Sequence, residues 1–179
     1  MIKRINFWCF SDRIGPDMPL THWMLYFKMA GRFLCKRRFG QFDASSEFRP
    51  GAYAVFCSNI KIGKNIVIRP QSMLFAAPGT EAGIVIEDDV LLGAGVHIYV
   101  TKHKFSDSSV PIIKQGYEMS RGVLIKSGSW IGANSVILPG VTIGKNSVIG
   151  AGSVVTKSVP EFVVAAGNPC RIIRKIECL

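Results

Sequence analysis

The chain has 179 residues, of which 48% are hydrophobic, and it carries a formal net charge of +10 at pH 7. This length is typical of one domain with at most a small appendage, and no run of about 18 uninterrupted apolar residues indicates a membrane span. The apolar run near the N-terminus is too short for a signal peptide, and five cysteines without a CxxC pair favour reduced thiols in a cytoplasmic protein.

The positive charge is concentrated early in the chain. Residues 1–50 carry nine basic and four acidic side chains, whereas residues 51–168 carry ten and seven. Nucleic acid is the usual partner of such a basic chain, but the sequence contains no nucleic-acid-binding module. We therefore expect no nucleic-acid partner, because an anionic cosubstrate or an anionic membrane surface explains the charge more simply.

The N-terminal region predicts one amphipathic helix that begins at the N-cap Asp17 and stops at Gly40. Lys28, Arg32 and Lys36 fall four apart on one stripe of this helix. Two interpretations remain open: the apolar side packs on the rest of the protein or a neighbouring subunit, or the helix rests on anionic lipid. The apolar residues at helical spacing are Trp23, Tyr26, Phe27, Ala30, Phe33 and Leu34.

From residue 125 to residue 160 the sequence repeats every six residues. A bulky apolar residue begins each hexad, and a small or β-branched residue follows four places later. Two inward positions per hexad predict a short strand and a tight corner, so three hexads make one triangular coil, and successive coils pair in parallel about 4.8 Å apart. The two series are Ile125, Ile131, Ile137, Ile143, Ile149 and Val155, and Ser129, Ser135, Val141, Ser147, Ser153 and Val159.

The same period predicts earlier coils. A turn at residues 76–83 interrupts this earlier ladder. The fold class is therefore mainly β, a parallel β-helix over residues 44–168, preceded by the helical region 1–43 and followed by a tail at 169–179. The earlier hexads begin at Ile62, Ile68, Leu74, Ile86, Leu92 and Ile98, with weaker first-coil candidates at Ala44, Pro50 and Phe56.

A longer interruption, residues 99–122, separates Ile98 from Ile125. The interval of twenty-seven residues is not a multiple of six, so part of this segment must leave the β-helix. Loops that project from a rigid scaffold often carry binding and catalytic residues. This loop contains His103 and Asp107, which makes it the candidate active-site loop.

Four motifs carry a resemblance to a known family: GVHIYVTKHKFSD, WIGANSVILPGVTIG, VIGAGSVVTKSVP and AAGNPCRIIRKI. In these motifs, residues from about 60 to 176 resemble the hexapeptide-repeat acyltransferases that use acetyl-CoA, especially bacterial sugar O-acetyltransferases of the maltose/galactoside and polysaccharide-modifying types. The resemblance implies left-handed coils, a homotrimer, acetyl-CoA as cosubstrate, no metal and a sugar or glycan acceptor.

The resemblance also implies that His103 is the catalytic base. Acetyl transfer from a thioester requires a hydroxyl or amine to lose its proton as it attacks, and a neutral imidazole titrates near the working pH. Asp107 is the local candidate for a carboxylate that orients this imidazole. Lys102 stands where the family usually has asparagine, and His97, beside the ladder, is the weaker alternative for the base.

The family's acetyl-CoA contacts fall on several later coils of this chain. Small side chains at Ala133 and Ala151 would let pantetheine lie along two corners, while Lys157, Arg171 and Arg174 would supply cations to the CoA phosphates. Ordinary solvated surface charge is the alternative interpretation of these cations. The full set is Ala133, Ala151, Thr156, Lys157, Arg171 and Arg174.

The predicted function is acetyl-CoA-dependent O-acetylation of a sugar hydroxyl in surface-polysaccharide biosynthesis. The location would be the cytoplasm, at the inner face of the membrane if the acceptor is lipid-linked. One alternative is N-acetylation of an amino sugar, which would use the same base. A noncatalytic scaffold is another alternative, but it would not need the loop motif. A γ-class carbonic anhydrase shares the β-helix but needs three zinc-binding histidines. His22 lies in the predicted helix, which leaves only His97 and His103 near the repeats.

Overall fold

The computed structural model describes residues 5, 7–8, 11–79 and 81–177. Over these residues the chain forms short α-helices and a series of short strands, and the described residues 5, 7 and 8 are also helical. The helices named here are α1 (Pro19–His22) and α2 (Lys28–Arg38), with 3₁₀ turns at Trp23–Tyr26, Cys57–Asn59 and Ile112–Lys114. The strands are β1 (Arg13–Ile14), β2 (Gln41–Phe42), β3 (Glu47–Phe48), β4 (Tyr53–Val55), β5 (Ile60–Ile62), β6 (Val67–Ile68), β7 (Met73–Phe75), β8 (Ile84–Ile86), β9 (Leu91–Leu92), β10 (His97–Tyr99), β11 (Val123–Ile125), β12 (Trp130–Ile131), β13 (Val136–Ile137), β14 (Thr142–Ile143), β15 (Val148–Ile149), β16 (Val154–Val155), β17 (Val163–Ala166) and β18 (Arg171–Lys175).

The strands stack into the three flat faces of a triangular β-helix. Face A contains β4, β7, β10, β13 and β16 in parallel, with β1 antiparallel at its edge. Face B contains β2, β5, β8, β11 and β14, and face C contains the pair β3–β6 followed by β9, β12, β15, β17 and β18. From β2 to β17, consecutive strands along the chain belong to different faces, so each strand pairs with the strand one coil away, and β18 folds back antiparallel on β17. The predicted β-helix is confirmed.

The predicted stacking register is also confirmed. Ile125 pairs with Ile143 on face B, and the equivalent pairs on faces C and A join residues eighteen positions apart. The bulky residues of the ladder are at most 1% exposed from Ile62 to Val155. Each coil therefore contributes three large side chains to one continuous apolar core, which is the main stabilising element of the fold.

Buried serines fill the narrow positions behind the large core residues. Ser129 and Ser147 are fully buried, yet their hydroxyls donate to the backbone carbonyls of Gly144 (2.8 Å) and Pro160 (2.7 Å). Both acceptors lie in the next coil. A buried hydroxyl is costly without a partner, and here it links adjacent coils.

One corner of the β-helix has a left-handed backbone in four successive coils. Asn65, Asp89, Gly128 and Asn146 stack at this corner with φ between 52° and 71°. Asn and Asp tolerate this conformation better than other side chains do. A Cβ at Gly128 would force the Asn146 side chain to move, and glycine avoids this contact.

The first coil lies in a different register from the one predicted. Phe42, Phe48 and Ala54 point inward and pair with Ile62, Ile68 and Leu74 of the next coil. The prediction had counted back in sixes and reached Ala44, Pro50 and Phe56. It was wrong because the 3₁₀ turn at Cys57–Asn59 inserts residues before β5, which makes the first coil-to-coil spacing twenty on all three faces.

The predicted single N-terminal helix is interrupted. Phe27, between the 3₁₀ turn and α2, is extended with φ −115° and ψ 114°. The chain folds back at this point and brings the Leu25 backbone close to Gly31. A Cβ added to Gly31 would lie 3.3 Å from the Leu25 Cα. Gly31 thus permits the close contact of the turn with α2.

The predicted N-cap of this helix is also wrong, whereas its predicted stop is confirmed: α2 ends at Arg38 with Phe39 as C-cap, so Gly40 occupies the C′ position. The N-cap of α1 is Met18, without a side-chain hydrogen bond. The Asp17 carboxylate instead pairs with Arg13 (3.3 Å) and accepts a hydrogen bond from the Tyr53 hydroxyl (3.0 Å). Gly40 lies beyond the extended C-cap of α2 and donates its N–H to the Cys57 carbonyl (3.0 Å). These contacts join the helical region to the first coil.

The buried side of the helical region differs from the predicted apolar face. Leu25, Leu34 and Cys35 are buried, whereas most of the predicted face is exposed. Of that face, Trp23, Tyr26, Phe27 and Phe33 are 54%, 69%, 58% and 57% exposed. Within one chain, therefore, these aromatic side chains do not pack against the β-helix.

The helical region covers the open end of the first coil. The Phe39 ring lies 5.4 Å from the rings of both Phe42 and Phe48, which point inward from two different faces. A side chain that contacts both must lie across the mouth of the coil. Burial in this cap raises the pKa of the Cys35 thiol to about 12 and raises that of Cys57 as well.

The described cysteines Cys35, Cys57 and Cys170 are free thiols, and Cys9 and Cys178 lie outside the described residues. In the part of the chain that the structure describes, no helix is long and apolar enough to cross a membrane.

Candidate active site

The predicted loop leaves the β-helix at the corner between faces A and B. It departs after Val100 and returns at Arg121, whose N–H donates to the Val100 carbonyl at 3.0 Å. Its two arms are held together by Lys104 N–H to Gly116 O (3.0 Å) and Glu118 N–H to Lys102 O (2.9 Å). The loop therefore projects from the corner as a hydrogen-bonded arm.

His103 lies on the first arm, opposite Tyr117 on the second. The two residues form an isolated antiparallel bridge, and their ring centroids are 4.3 Å apart with an interplanar angle of 31°. Both side chains are exposed, so the imidazole is accessible while one side of it contacts the phenol ring. Sequence reasoning missed Tyr117 because only the pairing of the two arms brings it to His103.

The structure does not bring Asp107 to His103. The Asp107 carboxylate accepts hydrogen bonds from the N–H (2.9 Å) and hydroxyl (2.6 Å) of Ser109, which closes a local turn. These bonds also hold the pKa of Asp107 below its usual value. The expected carboxylate–imidazole contact is therefore corrected: Asp107 shapes the tip of the loop, and the Tyr117 ring contacts His103.

A cavity of about 280 Å³ lies between the base of the loop and the A–B corner. The Lys102 ammonium pairs with the Glu118 carboxylate at 3.0 Å on its rim. Thr156 and Arg121 line the same cavity. The structure thus places the predicted cosubstrate residue Thr156 beside the residue that precedes His103. The complete lining is Lys102, Glu118, Met119, Arg121, Leu138, Pro139 and Thr156.

His97 lies in a different environment. It is part of β10, where it pairs with Met73 and Val136 on the neighbouring coils. Its Nδ1 lies 3.3 Å from the Tyr99 hydroxyl, and the two rings meet edge to face. His97 is therefore fixed on face A by its neighbours, whereas His103 is mounted on the loop.

Ala133 and Ala151 stack directly above one another at the corner between faces C and A. The Gly152 N–H donates to the Ala133 carbonyl at 2.8 Å, and a Cβ added to Gly132 would collide with the Ala151 backbone nitrogen. Ala151 is exposed and Ala133 half-buried. The side chains at this corner are small, so an extended group could lie along it against the backbone.

The basic C-terminal strand β18 continues from the same corner. Arg171 pairs with Ala166, and Arg174 pairs with Val164 further along face C. Both guanidinium groups are exposed, and each donates only to a backbone carbonyl next to it in sequence. Their positive charge is therefore not neutralised by a carboxylate among the described residues.

The predicted cosubstrate residues are divided between two corners of one chain. Ala133, Ala151 and Arg171 lie at the C–A corner, whereas Thr156 lies at the A–B corner with the loop, and the exposed Lys157 follows it. Face A separates the two corners by roughly 10–15 Å, at about 3.3 Å per residue. A single chain thus presents part of the predicted cosubstrate set at each corner.

The described residues contain no group of three His, Cys, Asp or Glu side chains that could hold a metal ion. In particular, His22 lies in α1, far along the chain from the loop, and its pKa is lowered by burial. The three histidines do not form a shared site.

Two family models match the chain. The bacterial transferase hexapeptide model, described as six repeats, matches residues 122–157, and the hexapeptide repeat of succinyl-transferase matches residues 79–101. The two matches flank the loop, as expected for a repeat interrupted by an insertion.

Three proteins of similar sequence or structure point to the same chemistry. A Saccharomyces cerevisiae protein whose name assigns it provisionally to the acetyltransferases is 44% identical over 71% of this chain, which spans 61% of that protein's length. The galactoside O-acetyltransferase of Escherichia coli is 40% identical over 80% of this chain and 67% of its own length. A solved galactoside acetyltransferase in complex with coenzyme A is 35% identical, with a TM-score of 0.72 over 89% of this chain and 80% of that one.

The β-helix, the inserted loop and these similarities agree. The chain has the left-handed parallel β-helix of hexapeptide repeats, and it belongs to the hexapeptide-repeat acetyltransferase family.

Proposed function

We propose that this protein transfers the acetyl group of acetyl-CoA to a hydroxyl of a sugar, with His103 as the general base. The observation that carries the proposal is the accessible imidazole of His103, held against Tyr117 next to a cavity that contains Thr156. The acceptor we favour is a surface polysaccharide or its lipid-linked precursor. A named sugar O-acetyltransferase among the relatives supports a sugar acceptor.

The reaction follows from the placement of the imidazole. The neutral His103 ring accepts the proton of the acceptor hydroxyl while the hydroxyl oxygen attacks the thioester carbonyl carbon. The resulting tetrahedral intermediate expels the CoA sulfur, and the imidazolium returns its proton to that sulfur. The products are the acetyl ester and CoA with a free thiol, and the histidine ends neutral.

Tyr117 takes the positioning role in this proposal. Its ring covers one side of the His103 imidazole at 4.3 Å, which limits the orientations that an exposed side chain could otherwise adopt. Lys102 and Glu118 neutralise each other on the adjacent rim, so they fix the two arms without placing a net charge beside the base.

Acetyl-CoA would bind along the corners of the later coils. Pantetheine would lie against Ala133 and Ala151, and the phosphates would meet Arg171, Arg174 and Lys157. Thr156, in the cavity beside the loop, would lie near the reacting end of the cosubstrate. The bound coenzyme A in a related acetyltransferase supports this choice of cosubstrate.

The division of the site between two corners supports a homotrimer. In such an assembly the loop of one chain would face the C–A corner of its neighbour and complete one site. The loop exposes large apolar side chains that a neighbouring chain would cover. They are Phe105, Ile112, Ile113, Tyr117 and Met119, with exposures from 55% to 83%.

Replacing His103 with alanine should lower kcat about 10²- to 10⁴-fold, because the base that removes the hydroxyl proton is lost. The KM for acetyl-CoA should change little, and so should the unfolding temperature, because His103 is exposed and outside the core. Steady-state kinetics with acetyl-CoA and a panel of glycans and nucleotide sugars would measure both parameters.

His97→Ala is the matched control for His103→Ala. It removes the same ring six residues away and should retain most of the activity. Loss of turnover in His97→Ala but not in His103→Ala would transfer the base role to face A, and full activity in both would exclude histidine base catalysis at this site.

Tyr117→Ala should lower kcat about three- to tenfold, the scale of one aromatic contact, whereas Tyr117→Phe should stay within about twofold of the native protein. The difference arises because the proposed role belongs to the ring and not to the hydroxyl. Equal losses in the two variants would assign the role to the hydroxyl, and no loss in either would remove Tyr117 from the site.

Replacing Arg171 and Arg174 together with alanine should raise the KM for acetyl-CoA about tenfold, because exposed ion pairs contribute up to about 1 kcal/mol each. The acceptor KM should change less. Lys175→Ala is the control, since Lys175 is an exposed cation in the same strand β18. A KM equal to that of the native protein would show that the phosphates bind elsewhere.

Sedimentation velocity should show one species of three chains, each of 19.6 kDa.

Mixed assemblies of His103→Ala chains and Arg171→Ala/Arg174→Ala chains should be more active at low acetyl-CoA than the average of the two parental variants measured separately. The gain is expected because some sites then combine a native loop with a native C–A corner. A fully active monomer, or mixtures that never exceed the parental average, would place the whole site on one chain.

A further inference from the structure

The outer side of the helical region is a cluster of exposed apolar side chains. Met29 and Phe33 lie on the side of α2 that faces away from the buried Gly31 and Cys35. The neighbouring turn adds three aromatic rings, of which Trp23 and Phe27 meet edge to face with centroids 5.6 Å apart. The cluster, called here the outer helical surface, consists of Trp23, Tyr26, Phe27, Met29 and Phe33, with exposures from 54% to 79%.

Cations surround this surface, and the acids near them, Asp43 and Glu47, belong to the first coil and not to the helical region. Residues 18–42 contain no Asp or Glu. The four ion pairs among the described residues involve none of the cations nearest the surface. The Arg37 guanidinium lies 5.3 Å from the centre of the Phe33 ring, which places charge directly over the apolar cluster. The cations are Lys28, Arg32, Lys36 and Arg37.

Arg32 provides a further indication of an anionic partner. Its Nε is buried and has no hydrogen-bond acceptor among the described residues. Together with Lys28 and Glu47 it lines a cavity of about 200 Å³ between α2 and the first coil. The Glu47 carboxylate pairs with Arg49 at 3.3 Å, so an oxygen atom of a phosphate that entered this cavity would satisfy the Arg32 donor.

A second copy of this chain fits the surface poorly. Contact of two such surfaces would bring two sets of unpaired cations together, and like charges across an interface oppose association. The β-helix does not reverse this excess of positive charge, since residues 51–168 carry ten basic and seven acidic side chains. Nucleic acid would satisfy the cations, but its interfaces are mainly polar and would leave five large apolar side chains uncovered.

An anionic lipid bilayer satisfies both properties at once. Aromatic and other apolar side chains enter the boundary between headgroups and acyl chains, while lysine and arginine remain among the lipid phosphates. We propose that the outer helical surface docks this protein on anionic lipid, with Trp23 and Phe27 inserted and Lys28, Arg32, Lys36 and Arg37 bound to headgroups. This docking does not depend on acetyl transfer, so vesicle binding tests it independently of the proposed function.

The full-length protein should cosediment with vesicles that contain phosphatidylglycerol and much less with vesicles of phosphatidylcholine alone. Lys28→Gln/Lys36→Gln should lower the partition coefficient on phosphatidylglycerol vesicles roughly 25-fold, on the scale of about fivefold for each cation near an anionic surface. The matched control, Lys61→Gln/Lys64→Gln, removes two exposed cations from the β-helix and should bind almost as the native protein does. Equal losses in the two double variants would overturn the proposal, since charge alone would then explain binding.

The apolar contribution has its own pair of variants. Phe27→Ser should weaken vesicle binding at least fivefold, whereas Leu91→Ser, a control of similar exposure on face C, should not. The fluorescence of the native protein should shift to shorter wavelength on vesicles, and Trp23→Phe should remove that shift while retaining binding. Each variant is also sedimented without lipid. If Phe27→Ser dissociates the assembly, or if the Trp23 emission does not shift, the surface contacts another chain and the lipid proposal is wrong.

Discussion

The structure depends on the packing of one large apolar side chain from every hexad into a core only a few side chains wide. Strand pairing fixes the spacing of coils at about 4.8 Å, so each inward position must hold a residue of nearly constant size. Isoleucine, leucine or valine occupies most of these positions from Ile62 to Val155. The narrow positions hold serine, alanine or valine, except for Ile66. The regularity of the sequence is therefore a direct consequence of core geometry.

This constraint also explains where variable chemistry can be placed. A hexad cannot gain or lose a residue without moving every later side chain out of register. Insertions are tolerated only at corners, where the chain can leave and return through the same backbone contacts, as it does between Val100 and Arg121. The loop thus carries His103 without disturbing the core. The corners that carry no insertion stay shallow and regular, which suits an extended cosubstrate.

The sequence predicted the β-helix because hexad packing is local and repetitive. The pairing of Ile125 with Ile143 follows from spacing alone and needs no knowledge of distant residues. Prediction failed where the contact is set by an irregular segment. The first-coil register depended on a short 3₁₀ turn, and the partner of His103 depended on how the two arms of the loop align. For Asp107, proximity in sequence was misleading, because Ser109 is closer still and closes a turn with the same carboxylate.

The helical cap and the loop are both attached to the rigid β-helix, so the distance between them along the β-helix axis is fixed. The first coil contributes β4 to face A, and the loop follows β10, two coils later. At about 4.8 Å per coil, the loop begins about 10 Å above the coil that the cap covers. If the protein rests on a membrane through its cap, this height sets the distance between the membrane surface and the loop. It would select the sugar residues that stand at that distance from a lipid anchor, and the insertion of one additional coil would move the selection outward by about 5 Å.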